Sequence, residues 1–137
     1  MTTNQAVTEA EEQVQILAAE LIEIREQECL LCYVWRMQQF GCTGLRWAKH
    51  YRDVRAPRAT ALEKRLGQVG GFCDCEIFLN GYEAAPEHWI HPEPVEEDGV
   101  VYQEDPYFPE VMPPCRGVRR GSIRGCTLWV RMRRGYW

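Results

Sequence analysis

The sequence feature that most constrains this chain is the distribution of its seven cysteines. Five of them lie within 47 residues, and four of these five form two close pairs. With 137 residues, the chain can bury an ordinary hydrophobic core, so cross-links are not needed to stabilise a very small fold. The cysteine count is odd and no basic, apolar leader begins the sequence, which argues against a disulfide framework. We therefore expect reduced thiols in a cytoplasmic protein.

The two close pairs predict a zinc site. Cys29 and Cys32 are three residues apart, so on a helix both sulfurs would lie on one face. The second pair follows a double glycine, which relieves crowding where two thiolates approach one ion. A structural zinc ion takes four such ligands in a tetrahedron. The predicted ligands are Cys29, Cys32, Cys73 and Cys75, with Cys42 able to replace one of them and His50 as a further candidate.

Other interpretations of these residues stay open. The thiols could be small buried core residues, or a redox dithiol, although a Cys-x2-Cys in the middle of a helix is not typical of redox proteins. A catalytic zinc would need an open ligand position and a general base such as Asp74 or Glu76. The remaining pair, Cys115 and Cys126, could form a bridge or lie together as thiols, and we do not assign it to the metal. The His88 and His91 pair is more typical of a surface.

Charge is unevenly distributed along the chain, although its net value is only −4. Residues 83–110 carry nine acidic side chains and no lysine or arginine, whereas residues 111–137 carry seven arginines and no acid. The acidic segment could pair with the basic end inside the molecule, or the arginines could contact phosphates.

A second basic feature is a predicted helix face. Arg46, Lys49 and Arg52 recur every third residue among aromatic side chains, a pattern compatible with a nucleic-acid backbone. The same spacing also describes an ordinary solvated helix face, and both interpretations stay open.

Hydrophobic periodicity predicts an α+β fold. An N-terminal helical hairpin or three-helix body is expected, with a small β element and an extended proline-rich arm. Seven of the eight prolines fall between Pro86 and Pro114, which excludes a helix there. We expect a helical zinc-binding domain over residues 1–82, and an acidic arm with a basic β element packing on it over residues 83–137. The expected helices cover 8–40, 45–54 and 60–68, and the expected strands 72–79, 100–102 and 127–130.

The segment Gly70-Gly71-Phe72-Cys73-Asp74-Cys75-Glu76 resembles a family of small bacterial proteins of unknown function. The signature of this family is Gly-Gly-aromatic-Cys-Asp-Cys-Glu, with a cysteine about thirty residues upstream that Cys42 matches. Many members carry Cys-Asp-His at the upstream position, where this chain has Cys42-Thr43-Gly44. The resemblance covers residues 29–82 and implies a metal site, for which Cys29 and Cys32 would supply the missing ligand. The arginine- and tryptophan-rich tail is similar to that of actinobacterial members, which leaves open a role like that of small zinc-responsive ribosome-associated factors.

The sequence therefore predicts a non-enzymatic, zinc-binding adaptor or regulatory protein that contacts another protein or RNA. No membrane segment and no small-molecule substrate are evident. The alternatives are a zinc-dependent hydrolase, a thiol oxidoreductase, or a structural or phage-type protein without a regulatory role.

Overall fold

The computed structural model describes residues 2–133, and its elements confirm a mixed α+β fold. Five α-helices and two antiparallel strand pairs occur within this range. The helices are α1 (Thr2–Leu21), α2 (Leu30–Met37), α3 (Arg46–Arg55), α4 (Leu62–Gln68) and α5 (Asp74–Glu76), and the strands are β1 (Tyr82–Ala84), β2 (Val95–Glu97), β3 (Val100–Tyr102) and β4 (Trp129–Arg131). None of these helices is long and apolar enough to cross a bilayer.

The hydrophobic core is built around α2, whose residues Leu30, Leu31, Tyr33, Val34 and Met37 are all buried. They recur at the three- and four-residue steps of one helix face. The helices α3 and α4 cover this face with buried aromatic and leucine side chains, and strand β4 completes it. The core therefore joins the first half of the chain to its C-terminal strand.

The predicted helix over residues 8–40 is interrupted, and this corrects the sequence interpretation. Helix α1 ends at Leu21, and α2 starts only at Leu30. Between them, Gln27 adopts a left-handed backbone (φ 61°), which ends a helix. The buried carboxylate of Glu28 accepts hydrogen bonds from Arg36 Nε (3.0 Å) and Nη2 (2.8 Å), and so fixes the break against α2. As a result Cys29 and Cys32 lie at the start of a helix, not in its middle.

The apolar stripe of α1 takes no part in the core. Val14, Leu17 and Leu21 are 64%, 58% and 60% exposed. The first helix of the buried helical body is therefore α2, and the body consists of α2, α3 and α4.

The strand predicted over residues 72–79 is wrong, because the segment is helical. Cys73 adopts an extended backbone and is the N-cap of α5, and a π-helical turn follows at Ile77–Gly81. Two of its apolar side chains pack on the body: Ile77 is buried, and the Phe78 ring lies edge-on to Trp35, with the ring centroids 5.1 Å apart. Tertiary packing has overridden local strand propensity here.

The two strand pairs have different roles. β1 pairs with β4, with Tyr82 opposite Arg131 and Ala84 opposite Trp129, and so links residues that are far apart in the sequence. β2 and β3 form an exposed hairpin, closed by Asp98 and Gly99 with φ of 53° and 78°. Positive φ at both turn positions is typical of a type I′ hairpin turn.

An aromatic cluster attaches the proline-rich segment to the body. The ring of Phe108 lies 4.9 Å from Trp35 and 6.1 Å from Trp129. Trp89 also contacts Phe108, and its indole nitrogen donates to the Ala84 carbonyl at 2.7 Å. The segment between β1 and β4 is therefore held on the surface of the α2 helix, and this brings its C-terminal end to the start of α2.

Candidate metal centre

Four cysteines from distant parts of the chain meet at the start of α2. The sulfurs of Cys29, Cys32, Cys115 and Cys126 all lie within 4.8 Å of one another. The Sγ atoms of Cys32 and Cys126 are 3.7 Å apart. A tetrahedral zinc ion with Zn–S bonds of about 2.3 Å requires sulfur pairs about 3.8 Å apart. The cluster therefore has the dimensions of a four-sulfur metal site, whereas a disulfide would need about 2.05 Å.

Local backbone structure positions each pair of sulfurs at the cluster. Cys29 is the N-cap of α2 and is fully buried, and Cys32 lies one turn into the helix. Cys115 lies at the end of the proline-rich segment, and Cys126 is buried just before β4. One pair therefore comes from a helix start, and the other from the two ends of a ten-residue loop.

Several N–H groups donate to these sulfurs. The amide of Cys32 donates to Cys29 Sγ at 3.3 Å, and the amide of Cys29 donates to Cys115 Sγ at 3.3 Å. Gly117 N–H also donates to Cys115 Sγ (3.4 Å), and the Trp129 indole donates to Cys32 Sγ (3.3 Å). Hydrogen bonds of this kind favour the thiolate, which is the form that binds metal.

The thiols do not ionise equally when they are considered without an ion. Hydrogen bonding from Cys32 lowers the pKa of Cys29 to about 6. The same interaction raises the pKa of Cys32, and burial raises that of Cys126 to about 11. One thiolate is therefore favoured and its negative charge disfavours the others, whereas a bound divalent cation would favour the thiolate form of all four.

Within the described residues, no histidine or carboxylate joins the four sulfurs. Glu28 is the adjacent acid, and its carboxylate is held by Arg36 at 2.8 Å. Cys32 and Cys115 also line an open groove of about 720 Å³, whereas Cys29 and Cys126 are buried. A complete set of four sulfur ligands without a neighbouring base is typical of structural rather than catalytic zinc.

The structure does not include the predicted ligands Cys73, Cys75 and Cys42 in the sulfur cluster of Cys29 and Cys32. Their neighbours are Cys115 and Cys126, which the sequence analysis left out of the site. Burial raises the pKa of Cys73, and the interaction with the neighbouring Cys42 thiol acts in the same direction. Cys75 donates to Gln38 Oε1 at 3.2 Å. Metal binding by these three cysteines stays a prediction of the sequence.

The contacts of Asp74 hold the Cys73-Asp74-Cys75 turn at the start of α3, outside the sulfur cluster. Its fully buried carboxylate accepts from the amides of Trp47 (2.9 Å) and Ala48 (3.1 Å), and its own amide donates to the Gly44 carbonyl at 2.8 Å. The turn therefore caps the N-terminus of α3 from a distance in sequence. Burial raises the pKa of Asp74, while the two amides act in the opposite direction.

The predicted basic face of α3, formed by Arg46, Lys49 and Arg52, is partly neutralised by an acidic side chain of α4. Lys49 and Arg52 both lie near Glu63 Oε1, at 3.9 and 3.4 Å. Arg46 stacks over the Trp47 ring at 4.4 Å. His50 lies against the Tyr33 ring at 6.1 Å and does not join the four sulfurs. Nucleic-acid binding by this face stays a prediction.

One comparison with known proteins gives a match. Residues 30–80, or 51 of the 137 residues, match the model of a family described as "Protein of unknown function (DUF2695)". The chain is thus similar to a family of unknown function over this stretch, which includes α2, α3 and the Cys73-Asp74-Cys75 turn. No curated protein and no solved structure matches the chain. Only Cys32 of the four clustered cysteines lies in the matched region.

A local signal for Cys115 was present in the sequence. Gly117 follows it by two residues, and its backbone is left-handed (φ 85°). This conformation, which glycine adopts readily, turns the Gly117 amide back toward Cys115 Sγ. A cysteine followed by such a glycine is compatible with a metal-binding turn.

Proposed function

We propose that Cys29, Cys32, Cys115 and Cys126 bind one zinc ion, and that this ion is structural. The observation that carries the proposal is the convergence of four sulfurs within 4.8 Å, with the Cys32–Cys126 distance near a tetrahedral edge. When bound, zinc would hold all four sulfurs as thiolates and hold the loop between Cys115 and Cys126 against α2. Part of the binding free energy would then be folding free energy.

On this basis we propose a non-enzymatic adaptor or regulatory protein that contacts RNA or another protein in the cytoplasm. Four sulfur ligands leave no open position for a substrate, and the carboxylate of Glu28, the residue before Cys29, is engaged with Arg36. All seven cysteines are free thiols, as expected in a reducing compartment. The ion would then hold the partner-binding surface in one conformation.

A thiol oxidoreductase is the second candidate, and one observation favours it. Cys29 caps a helix and its pKa is lowered to about 6, as is typical of the attacking thiol in a Cys-x-x-Cys motif. Against this role, Cys29 is 0% exposed, whereas an attacking thiol must reach its substrate. Two further sulfurs within 4.8 Å also favour a metal.

Elemental analysis of purified protein tests the proposal. We expect one zinc per chain, lost in Cys29→Ser and Cys115→Ser. The matched controls are Cys42→Ser and Cys73→Ser, which remove thiols outside the cluster and should keep the metal. Zinc retained in Cys115→Ser but lost in Cys73→Ser would contradict the four-sulfur site. A metal-free wild type that reduces a small disulfide substrate would favour the oxidoreductase.

A further inference from the structure

The loop between Cys115 and Cys126 carries a concentrated positive charge. Its ten internal residues, 116–125, include four arginines and no acid. All four arginine side chains are exposed: Arg116, Arg119, Arg120 and Arg124. Among residues 7–133, no ion pair joins any of them to a carboxylate. The acidic segment 83–110 therefore does not neutralise this loop, contrary to one of the two interpretations of the charge pattern.

An Arg-Gly sequence and a left-handed backbone conformation repeat along the loop. Three Arg-Gly pairs start at Arg116, Arg120 and Arg124, four residues apart. Gly117 and Gly121 share a left-handed backbone, with φ of 85° and 86°. Each of these glycines turns the chain after an arginine, so the arginines are presented on successive short turns.

Contacts with the body fix the loop in place. Val118 N–H donates to the Gln27 carbonyl at 3.0 Å, and Gly125 packs so closely on Leu31 that an added Cβ would clash with Leu31 Cδ1. Cys115 and Cys126 anchor its two ends at the sulfur cluster. The charged surface is therefore held by the same residues that would hold the metal.

A cleft of about 320 Å³ lies beside the loop. Arg55 of α3 lines it together with Arg119 and Arg120. Glu26 and Glu28 also line the cleft, but the Glu28 carboxylate is engaged by Arg36. The balance of charge at the cleft is therefore positive.

We propose that this loop, with Arg55, is a surface for single-stranded RNA and that the metal fixes its shape. The proposal rests on the proposed metal site. All the unpaired cations of the loop are arginines, whose planar fork matches phosphate and stacks on bases. The chain is acidic overall, so the attraction is local and comes from this surface rather than from net charge.

Fluorescence anisotropy with a labelled single-stranded oligouridine tests the surface. We expect Arg119→Gln/Arg120→Gln to weaken binding about tenfold, and to lower the slope of log K against log salt by about 1.4, or about 0.7 per lost phosphate contact. The matched control is Arg58→Gln/Lys64→Gln, which removes the same charge from two exposed side chains outside the loop, the cleft and the α3 face. It should bind like the wild type.

The remaining outcomes separate this surface from the metal site. The zinc content is measured for every variant. If the zinc-loaded wild type does not bind oligouridine, the proposed RNA surface is overturned, while the proposed metal site still stands. If purified wild type contains no zinc, the proposed function is overturned. If removal of the zinc with a chelator leaves oligouridine binding unchanged, the metal does not fix the shape of this surface. Polyglutamate that competes as well as RNA indicates an acidic protein partner and overturns the proposal. A loss of binding in the control variant as large as that in the loop variant also overturns it.

Discussion

At the scale of single residues, Asp74 has a structural task that differs from the metal-related one suggested by its flanking cysteines. Its buried carboxylate accepts from the two amides at the start of α3, 26 and 27 residues away in the sequence. Local sequence could not predict this contact, because an N-cap is normally searched for directly before its helix. The neighbouring Cys73 interacts with Cys42, and Cys75 donates to Gln38, so neither joins the cluster of Cys29 and Cys32.

Replacement of Asp74 by alanine should lower the free energy of unfolding by about 2–3 kcal/mol, because two buried amides lose their acceptor. Urea unfolding of the metal-loaded protein measures the change. The control is Asp53→Ala, which removes an exposed carboxylate and should change stability by less than about 0.5 kcal/mol. Equal effects of the two variants would contradict the capping role.

At the scale of elements, the position of the sulfur cluster depends on the residue at which α2 begins, because Cys29 is its N-cap. Hydrophobic periodicity predicted a helix through residues 8–40, because the apolar stripe continues across the break. The break depends on the Glu28–Arg36 pair and on contacts with the loop at Val118, and neither is visible in periodicity. Helix α3 and strands β3 and β4 were predictable within a few residues, since their signals are local.

The packing of the loop on α2 gives a prediction at this scale. Gly125→Ala would place a methyl group in a steric clash with Leu31 Cδ1, and Leu31 is buried. We expect a loss of about 1–3 kcal/mol in stability and weaker metal retention, because Cys126 is the next residue. Chelator competition and urea unfolding measure both effects.

Gly67→Ala is the matched control for that variant. Its added methyl would meet only the exposed Phe72 ring, at 3.2 Å, within helix α4. It should leave metal retention unchanged and stability equal or slightly higher, since alanine favours helix. If Gly125→Ala behaves in the same way, the loop does not pack tightly on α2.

At the scale of the whole molecule, long-range contacts join the C-terminal segment to the helical body. The β1–β4 pairing connects residues 45 to 49 positions apart, and the Trp35–Trp129 and Cys32–Cys126 contacts each connect residues 94 positions apart. The sequence predicted that distant cysteines would converge, and the structure shows such a cluster, with Cys115 and Cys126 as the second pair. Short spacing favoured Cys73 and Cys75, whereas the chain path brings Cys115 and Cys126 to α2.

Metal removal should therefore loosen the loop more than the helices. With a chelator present, we expect faster tryptic cleavage after Arg116, Arg119, Arg120 or Arg124, while cleavage within α3 changes little. Mass spectrometry of early fragments measures the two rates. Uniform acceleration at all sites would indicate global unfolding, and no acceleration at the loop would show that the ion does not hold it.

X-ray absorption at the zinc edge of the wild-type protein tests the central claim most directly. Our account predicts one zinc ion with four sulfur neighbours at about 2.3 Å and no nitrogen or oxygen ligand. The spectrum should be unchanged in Cys73→Ser and lost with the metal in Cys115→Ser. A first shell that contains nitrogen or oxygen in the wild type, or four sulfurs that persist in Cys115→Ser, would contradict it.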